Sequence, residues 1–156
     1  MRVFNLIICL VAFNLMTSGN SARADWQYTK WGMTLDEVIK ASNGAAHAPF
    51  INGYVVPGQT ADHHVGLAAT YKTGRFLFVA FFFFDNNNHL VEVRLCDGMG
   101  ITYSDLLETL QEIYGFGQNG HYWVDKENNT TIGLFSIESM TTIIYSPLHP
   151  SQHKGL

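Results

Sequence analysis

The apolar and polar positions of the chain follow periods that predict six strands and two helices. The longest apolar run is the nine-residue segment 76–84, which is rich in Phe and ends at Asp85 and three asparagines. A membrane span needs about 20 apolar residues, so this run predicts a buried strand instead. The segment 89–96 then alternates apolar and polar side chains, and together the two segments predict a β-hairpin.

Both predicted helices begin at a threonine that caps the first turn. Thr34 and Glu37 form a capping box, and the first helix ends at residues 43–44, an Asn-Gly pair. The second helix begins at Thr102 and ends at Gly115. Its apolar face comprises Leu106, Leu107, Leu110, Ile113 and Tyr114. The remaining predicted strands are 65–71, 122–124, 130–137 and 141–145.

This order of elements predicts an α+β fold, with an antiparallel sheet and two helices packed on one of its faces. The order is helix–strands–helix–strands, and each half opens with the same apolar residue, threonine cap and short helix. That repetition favours an internal duplication. The alternative is that two well-capped helices simply start alike.

Strand register predicts which side chains share a face. With turn centres at 73–74 and 86–87, Tyr71 lies opposite Phe76, and Phe84 lies opposite His89. The face that collects only apolar side chains is the predicted core face, and we expect both helices to cover it. Its members are Val65, Leu67, Ala69, Tyr71, Phe76, Phe78, Ala80, Phe82, Val91, Val93 and Leu95.

The opposite face carries an apolar stripe in a polar frame. The stripe comprises Leu77, Val79, Phe81 and Phe83, and Glu92 and Arg94 flank it on the next strand. We interpret these six residues as a contact surface for another protein. The alternative is that the chain covers the stripe itself, with the Trp26/Tyr28 arm or the loop 45–62. If the surface binds a partner, Phe81→Ser or Phe83→Ser should abolish capture without unfolding the protein.

Residues 1–24 have the pattern of an export signal, with a positive Arg2, an apolar stretch at 3–16 and a small-x-small cleavage site at the end. We therefore expect a periplasmic or secreted protein with no membrane span after cleavage. The mature chain is predicted to be one α+β domain at 25–147 with a loose tail at 148–156.

Charge and cysteine content narrow the classes of partner. Loss of Arg2 and Arg23 with the signal takes the formal net charge from −4 to −6. An acidic chain without a basic cluster is not expected to bind nucleic acid or anionic membranes. Cys96 is the only cysteine left, and it is predicted to be buried rather than paired with another chain.

The residue types that could carry chemistry do not form a convincing site. Asp62, His63 and His64 are adjacent, but neighbouring histidines on an extended chain point to opposite sides, so no metal is expected. Cys96 and His121 form a candidate dyad, but the cysteine lies near a strand end and away from the helix start that would activate it. We predict no cofactor, no metal and no enzymatic activity.

The segment Trp31-Gly32-Met33-Thr34-Leu35-Asp36-Glu37-Val38 resembles the helix start shared by a group of uncharacterised exported bacterial proteins. It is also similar to the start of the BamE-type outer-membrane lipoprotein domain and of the two-lobed β-lactamase inhibitory protein. The resemblance implies short helices against an antiparallel sheet, and a role in binding proteins. The chain departs from these families in having neither a lipobox cysteine nor disulfide pairs.

The sequence thus predicts an exported, non-catalytic protein-binding module of inhibitor or envelope-assembly type. Its partner is expected to be another protein in the envelope or outside the cell, and a homodimer is also open. The first alternative is a carrier of a small apolar ligand, with a pocket between the loop 45–62 and the sheet, lined by Trp26, Tyr54 and Phe81. The second is a cysteine-dependent hydrolase. A cavity would favour the carrier, and a flat open stripe the binding module.

Overall fold

The computed structural model of the chain describes residues 26–49, 59–97, 100–137 and 140–148. The predicted signal at 1–24 lies outside the described residues, and so does the predicted tail apart from Leu148. The described elements are α1 (Leu35–Ala41), β1 (His63–Thr73), β2 (Phe76–Asp85), β3 (Leu90–Asp97), α2 (Tyr103–Tyr114), β4 (Tyr122–Asp125), β5 (Thr130–Ile137) and β6 (Met140–Pro147).

The six strands form one antiparallel sheet with the order β1-β2-β3-β6-β5-β4. The predicted α+β class and its helix–strands–helix–strands order are therefore confirmed. Each half of the chain contributes one helix and three consecutive strands, and the third strands of the two halves, β3 and β6, meet in the middle. Four residue pairs form this seam, from Val93 opposite Tyr145 to Cys96 opposite Thr142.

Both helices begin at the predicted threonines. The Thr34 hydroxyl accepts a hydrogen bond from the backbone N–H of Glu37, and the Glu37 carboxylate accepts one from the backbone N–H of Thr34 at 2.8 Å. This reciprocal pair is a capping box, and it satisfies two backbone donors that a helix start otherwise leaves unpaired. The Thr102 hydroxyl accepts from the Asp105 N–H at 3.2 Å and starts α2 in a similar way.

The described part of the chain has no helix that is long and apolar enough to cross a membrane.

One face of the sheet holds the core, and we call it the helix-covered face because both helices contribute buried side chains to it. The buried cluster joins Val38, Leu106 and Leu110 of the helices to Leu67, Ala69, Phe78, Ala80, Phe82, Phe84, Leu90, Val93, Leu95, Ile132, Leu134 and Ile143 of the strands.

The register between β1 and β2 differs from the prediction by two residues. Tyr71 lies opposite Phe78, not opposite Phe76, because the turn is formed by residues 74–75 and Thr73 pairs with Phe76. Strand side chains alternate with a period of two, so a displacement of two residues keeps Tyr71 and its neighbours on the predicted face. The predicted pairing was wrong, whereas the predicted faces hold for this part of the hairpin.

A β-bulge in β1 makes the prediction for Val65 wrong. The register shifts between Val65 and Leu67, so Val65 lies opposite Phe83 on the other side of the sheet from the core. The extra residue is Gly66, where an added Cβ would lie 2.7 Å from Cδ2 of Phe84. Real side chains do not approach so closely, so the buried Phe84 ring requires a glycine at the bulge.

A second bulge, in β3, exchanges the predicted positions of Leu90 and Val91. Phe84 lies opposite Leu90 rather than His89, and Val91 is the extra residue before Glu92. Leu90, predicted on the outer side, is therefore fully buried in the core, and Val91 is only half-buried. The period of two cannot reveal an inserted residue, so the sequence pattern carries no signal for this exchange.

Candidate functional site

The side of the sheet away from the core, which we call the outer face, carries the six residues predicted as a contact surface. Phe83 lies opposite Glu92, and Phe81 lies opposite Arg94. Leu77 and Val79 follow at intervals of two along β2, so the apolar stripe and its charged neighbours share one face, away from the buried Phe82 ring. Glu92 does not point inward with Phe82.

Exposure along the stripe is graded. Val79 is 38% exposed, Leu77 and Phe81 are half-buried, and Phe83 has no exposed surface. The predicted effect of Phe83→Ser must therefore be revised, since removal of a fully buried ring destabilises the fold. Val79 is the stripe residue that is available for contact.

The charged neighbours of Phe83 are also largely buried, and they neutralise each other. The Arg94 Nε donates to the Glu92 Oε1, and the Arg94 guanidinium carbon lies 4.1 Å from the centre of the Phe83 ring. A guanidinium over an aromatic face is attracted by the negative charge of that face. At this end of the outer face, the charges of Arg94 and Glu92 are thus paired within the protein.

The Trp26/Tyr28 arm does not cover the apolar stripe. The Trp26 ring lies 5.7 Å from the Phe82 ring and 5.4 Å from the Tyr71 ring, so the arm packs on the helix-covered face. Of the loop 45–62, the segment 50–58 lies outside the described residues. His47 in the described part pairs with Ala68 along the edge of β1.

A pocket of about 650 Å³ opens on the helix-covered face. It lies between α2, the Trp26 arm, the β1–β2 turn and the β4–β5 turn. Its apolar lining residues are Trp26, Tyr71, Phe76, Phe78, Leu95, Leu106, Leu110, Ile113, Tyr114, Ile132, Ile143 and Tyr145. Its polar lining residues are Gln27, Thr73, Arg75, Thr109, Asp125, Asn128 and Thr130.

The aromatic wall of the pocket is held by contacts among the rings themselves. The Trp26 ring lies 5.4 Å from the Tyr71 ring and 6.0 Å from the Tyr145 ring. The Gln27 amide donates to the Tyr71 hydroxyl at 2.9 Å and fixes the orientation of that ring. Tilted rings at these distances pack favourably and form a rigid apolar surface.

The two charged residues that line the pocket differ in their partners. Arg75 is at the rim, where its guanidinium donates to the Asp105 carboxylate at 3.0 Å, so its charge is matched. Asp125, at the end of β4, accepts hydrogen bonds from the backbone and side-chain amides of Asn128 at 3.1 and 2.5 Å. The Asp125 carboxylate is hydrogen-bonded, but it is not paired with a cationic side chain among the described residues.

Burial keeps the Tyr114 and Tyr145 side chains of the pocket in the neutral phenol form. Burial raises the pKa of Tyr145 far above its ordinary value, and the neighbouring Tyr114 and Tyr71 add to this effect. Burial also raises the pKa of Tyr114, with a further contribution from the negative charge of Asp125. A desolvated site disfavours the charged phenolate, so these groups stay O–H donors.

The sequence prediction placed the pocket incorrectly. Trp26 lines it as predicted, but Phe81 lies on the outer face, and Tyr54 lies outside the described residues. The pocket gathers side chains from the arm, β1, α2 and the β4–β5 turn, which are far apart in the sequence. One signal was available: Asp125 is in phase with the buried Trp123, and an acid on a covered face is unusual.

Comparison with other proteins gives no family assignment. No protein family, curated protein or solved structure matches this chain. The resemblance of segment 31–38 to exported bacterial domains therefore stays a prediction.

The candidate cysteine–histidine dyad lacks the necessary geometry. Strands β6 and β5 lie between Cys96 and the strand that follows His121, and three strand spacings amount to about 14 Å. The Cys96 thiol is buried, and burial raises its pKa, which disfavours the nucleophilic thiolate. In addition, no three described His, Cys, Asp or Glu side chains are grouped so as to hold a metal.

Proposed function

We propose that this chain is an exported, non-catalytic binding protein, and that its principal site is the pocket on the helix-covered face. The observation that supports this proposal is the pocket itself, a volume of about 650 Å³ lined by aromatic and aliphatic side chains and a few polar groups. Pockets for small ligands have volumes of roughly 300–1,000 Å³ and this kind of lining. The alternative predicted as a small-ligand carrier is thereby favoured over the binding module.

The chemistry of the pocket lining suits a mainly apolar ligand that is held in one orientation. Trp26, Tyr71 and Tyr145 offer a fixed aromatic wall, so the protein orders few of its own side chains when the ligand binds. Three of the seven polar lining residues, Asp125, Asn128 and Thr130, lie together at the β4–β5 turn, and they would hydrogen-bond one end of the ligand. A ligand with one polar end and an apolar body fits this distribution.

A neutral fluorescent probe tests the proposal. We expect N-phenyl-1-naphthylamine to bind saturably at one site, and Ile113→Trp to abolish binding by filling the mouth of the pocket. Ile113 is 64% exposed, so the larger side chain can be accommodated without damage to the core. The matched control is Ile39→Trp, an exposed isoleucine of α1 that does not line the pocket. An absence of saturable binding to the unmodified protein would reject the carrier function.

The outer face supports a second candidate function, contact with another protein in the envelope or outside the cell. Val79 and Phe135 are 38% and 37% exposed. The register places them in one row across the sheet, with Cys96 and Thr142 between them. Exposed apolar side chains on a sheet are candidates for a partner surface, and a second copy of this chain is one such partner.

A further inference from the structure

The pocket carries one charge that no described cationic side chain neutralises. The ion pairs of arginine with a carboxylate among the described residues are Arg75–Asp105 and Arg94–Glu92, and the His89 ring lies 3.9 Å from the Asp85 carboxylate. Asp125 belongs to none of these contacts. The cation at the rim, Arg75, is held by Asp105 and lies 5.0 Å from the Phe76 ring. The pocket is therefore complementary to a positive charge.

The local role of Asp125 uses both of its carboxylate oxygens but brings no cation to them. Its carboxylate accepts from the Asn128 amides and so shapes the turn between β4 and β5. An asparagine can accept the same backbone hydrogen bond in such a turn, but it has no second acceptor oxygen for the Asn128 side-chain amide. The turn thus orients the carboxylate of Asp125 but leaves its negative charge without a cationic partner among the described residues.

The aromatic wall adds a second feature that favours a cation. Tyrosine and tryptophan faces attract an ammonium group electrostatically, and desolvation strengthens that attraction. Trp26, Tyr71, Tyr114 and Tyr145 all line the same pocket as Asp125. Within the described chain the Tyr114 and Tyr145 hydroxyls have no hydrogen-bond partner, so their oxygen atoms are open to a ligand.

We infer that the ligand is an organic amine: a primary or methylated ammonium group that pairs with Asp125, on an apolar body that packs against Trp26 and Tyr145. This inference rests on the proposed function, because it names the ligand class of the same pocket. It adds an electrostatic requirement that a general apolar carrier does not have.

Three probes of nearly equal size separate charge from shape. Binding of 2-phenylethylamine, 2-phenylethanol and 3-phenylpropionate is followed by protein NMR in unmodified protein and in Asp125→Asn. We expect the amine to bind the unmodified protein best, and Asp125→Asn to weaken amine binding at least tenfold, or about 1.4 kcal/mol. Binding of the alcohol should change by less than twofold. The control Glu108→Gln removes an exposed acid of α2 that does not line the pocket, and should leave amine binding unchanged.

The outcomes distinguish the amine inference from the carrier function. If the alcohol or the carboxylate binds as well as the amine, the amine inference is wrong and the carrier function stands. If no probe binds, both fail. Should Asp125→Asn lower the melting temperature, the salt dependence of the unmodified protein decides instead. Pairing with Asp125 requires amine binding to weaken with rising ionic strength while alcohol binding does not.

Discussion

The two faces of the sheet are built from adjacent residues of the same strands, yet they differ in what they leave accessible. The helix-covered face is filled around Phe82 and Phe84, but it leaves a pocket beside α2. The outer face is closed at Phe83 and Arg94 and leaves Val79 exposed at the surface. The comparison shows that burial alone does not identify the core side of this sheet, because both faces contain fully buried phenylalanines.

The largest expected effect tests whether the two faces are equally buried at these phenylalanines. Phe82→Ala and Phe83→Ala remove neighbouring, fully buried rings that point to opposite faces. Each should lower the free energy of unfolding by about 3–5 kcal/mol, measured by urea denaturation. A cost below about 1 kcal/mol for Phe83→Ala would mean that the outer face is open to solvent at this position.

The charged cluster on the outer face should give the next effect. Arg94→Met leaves the buried Glu92 carboxylate without its partner, and we expect a loss of about 3 kcal/mol of stability. The double variant Arg94→Met/Glu92→Gln removes both charges and should recover most of that loss. If the double variant is as unstable as Arg94→Met, the packing of Arg94 over Phe83 matters more than its charge.

A smaller effect is expected from pH on the helix-covered face. Folding raises the pKa of Tyr145, so its contribution to stability is complete below the ordinary tyrosine pKa, near 10.0, and is lost as the pH rises above it. The free energy of unfolding should therefore fall above about pH 10, and Tyr145→Phe should make this fall less steep. Exposed Tyr103→Phe is the control, and an unchanged slope in Tyr145→Phe would contradict the prediction.

The smallest effect on stability is expected at Val79, the exposed residue of the stripe. Val79→Ser should change the free energy of unfolding by no more than about 0.5 kcal/mol, because the side chain is already exposed. If the outer face binds a protein, the same substitution should reduce recovery of that partner in a pull-down from an envelope fraction, with Thr70→Ser as control. Equal recovery by both variants would exclude Val79 from the contact.

Much of the fold was predictable, because it depends on signals that are local in the sequence. The Thr34 and Thr102 caps fixed the helix starts, and the Phe-rich run fixed the central hairpin. The exchange of Leu90 and Val91 was not predictable, since a bulge adds a residue without changing the apolar character of the strand. The pocket was placed wrongly because it forms only when Trp26 and Asp125, about 100 positions apart, are brought together.

The seam between β3 and β6 sets a condition on how the sheet can be completed. The first three strands can pair with one another early, but β3 lacks its second neighbour until residues 142–145, almost fifty positions later in the chain, are in place. Until β6 pairs with it, the free edge of β3 can bind any other extended chain. A new chain must therefore be kept apart from its neighbours until residues 142–145 have paired with β3.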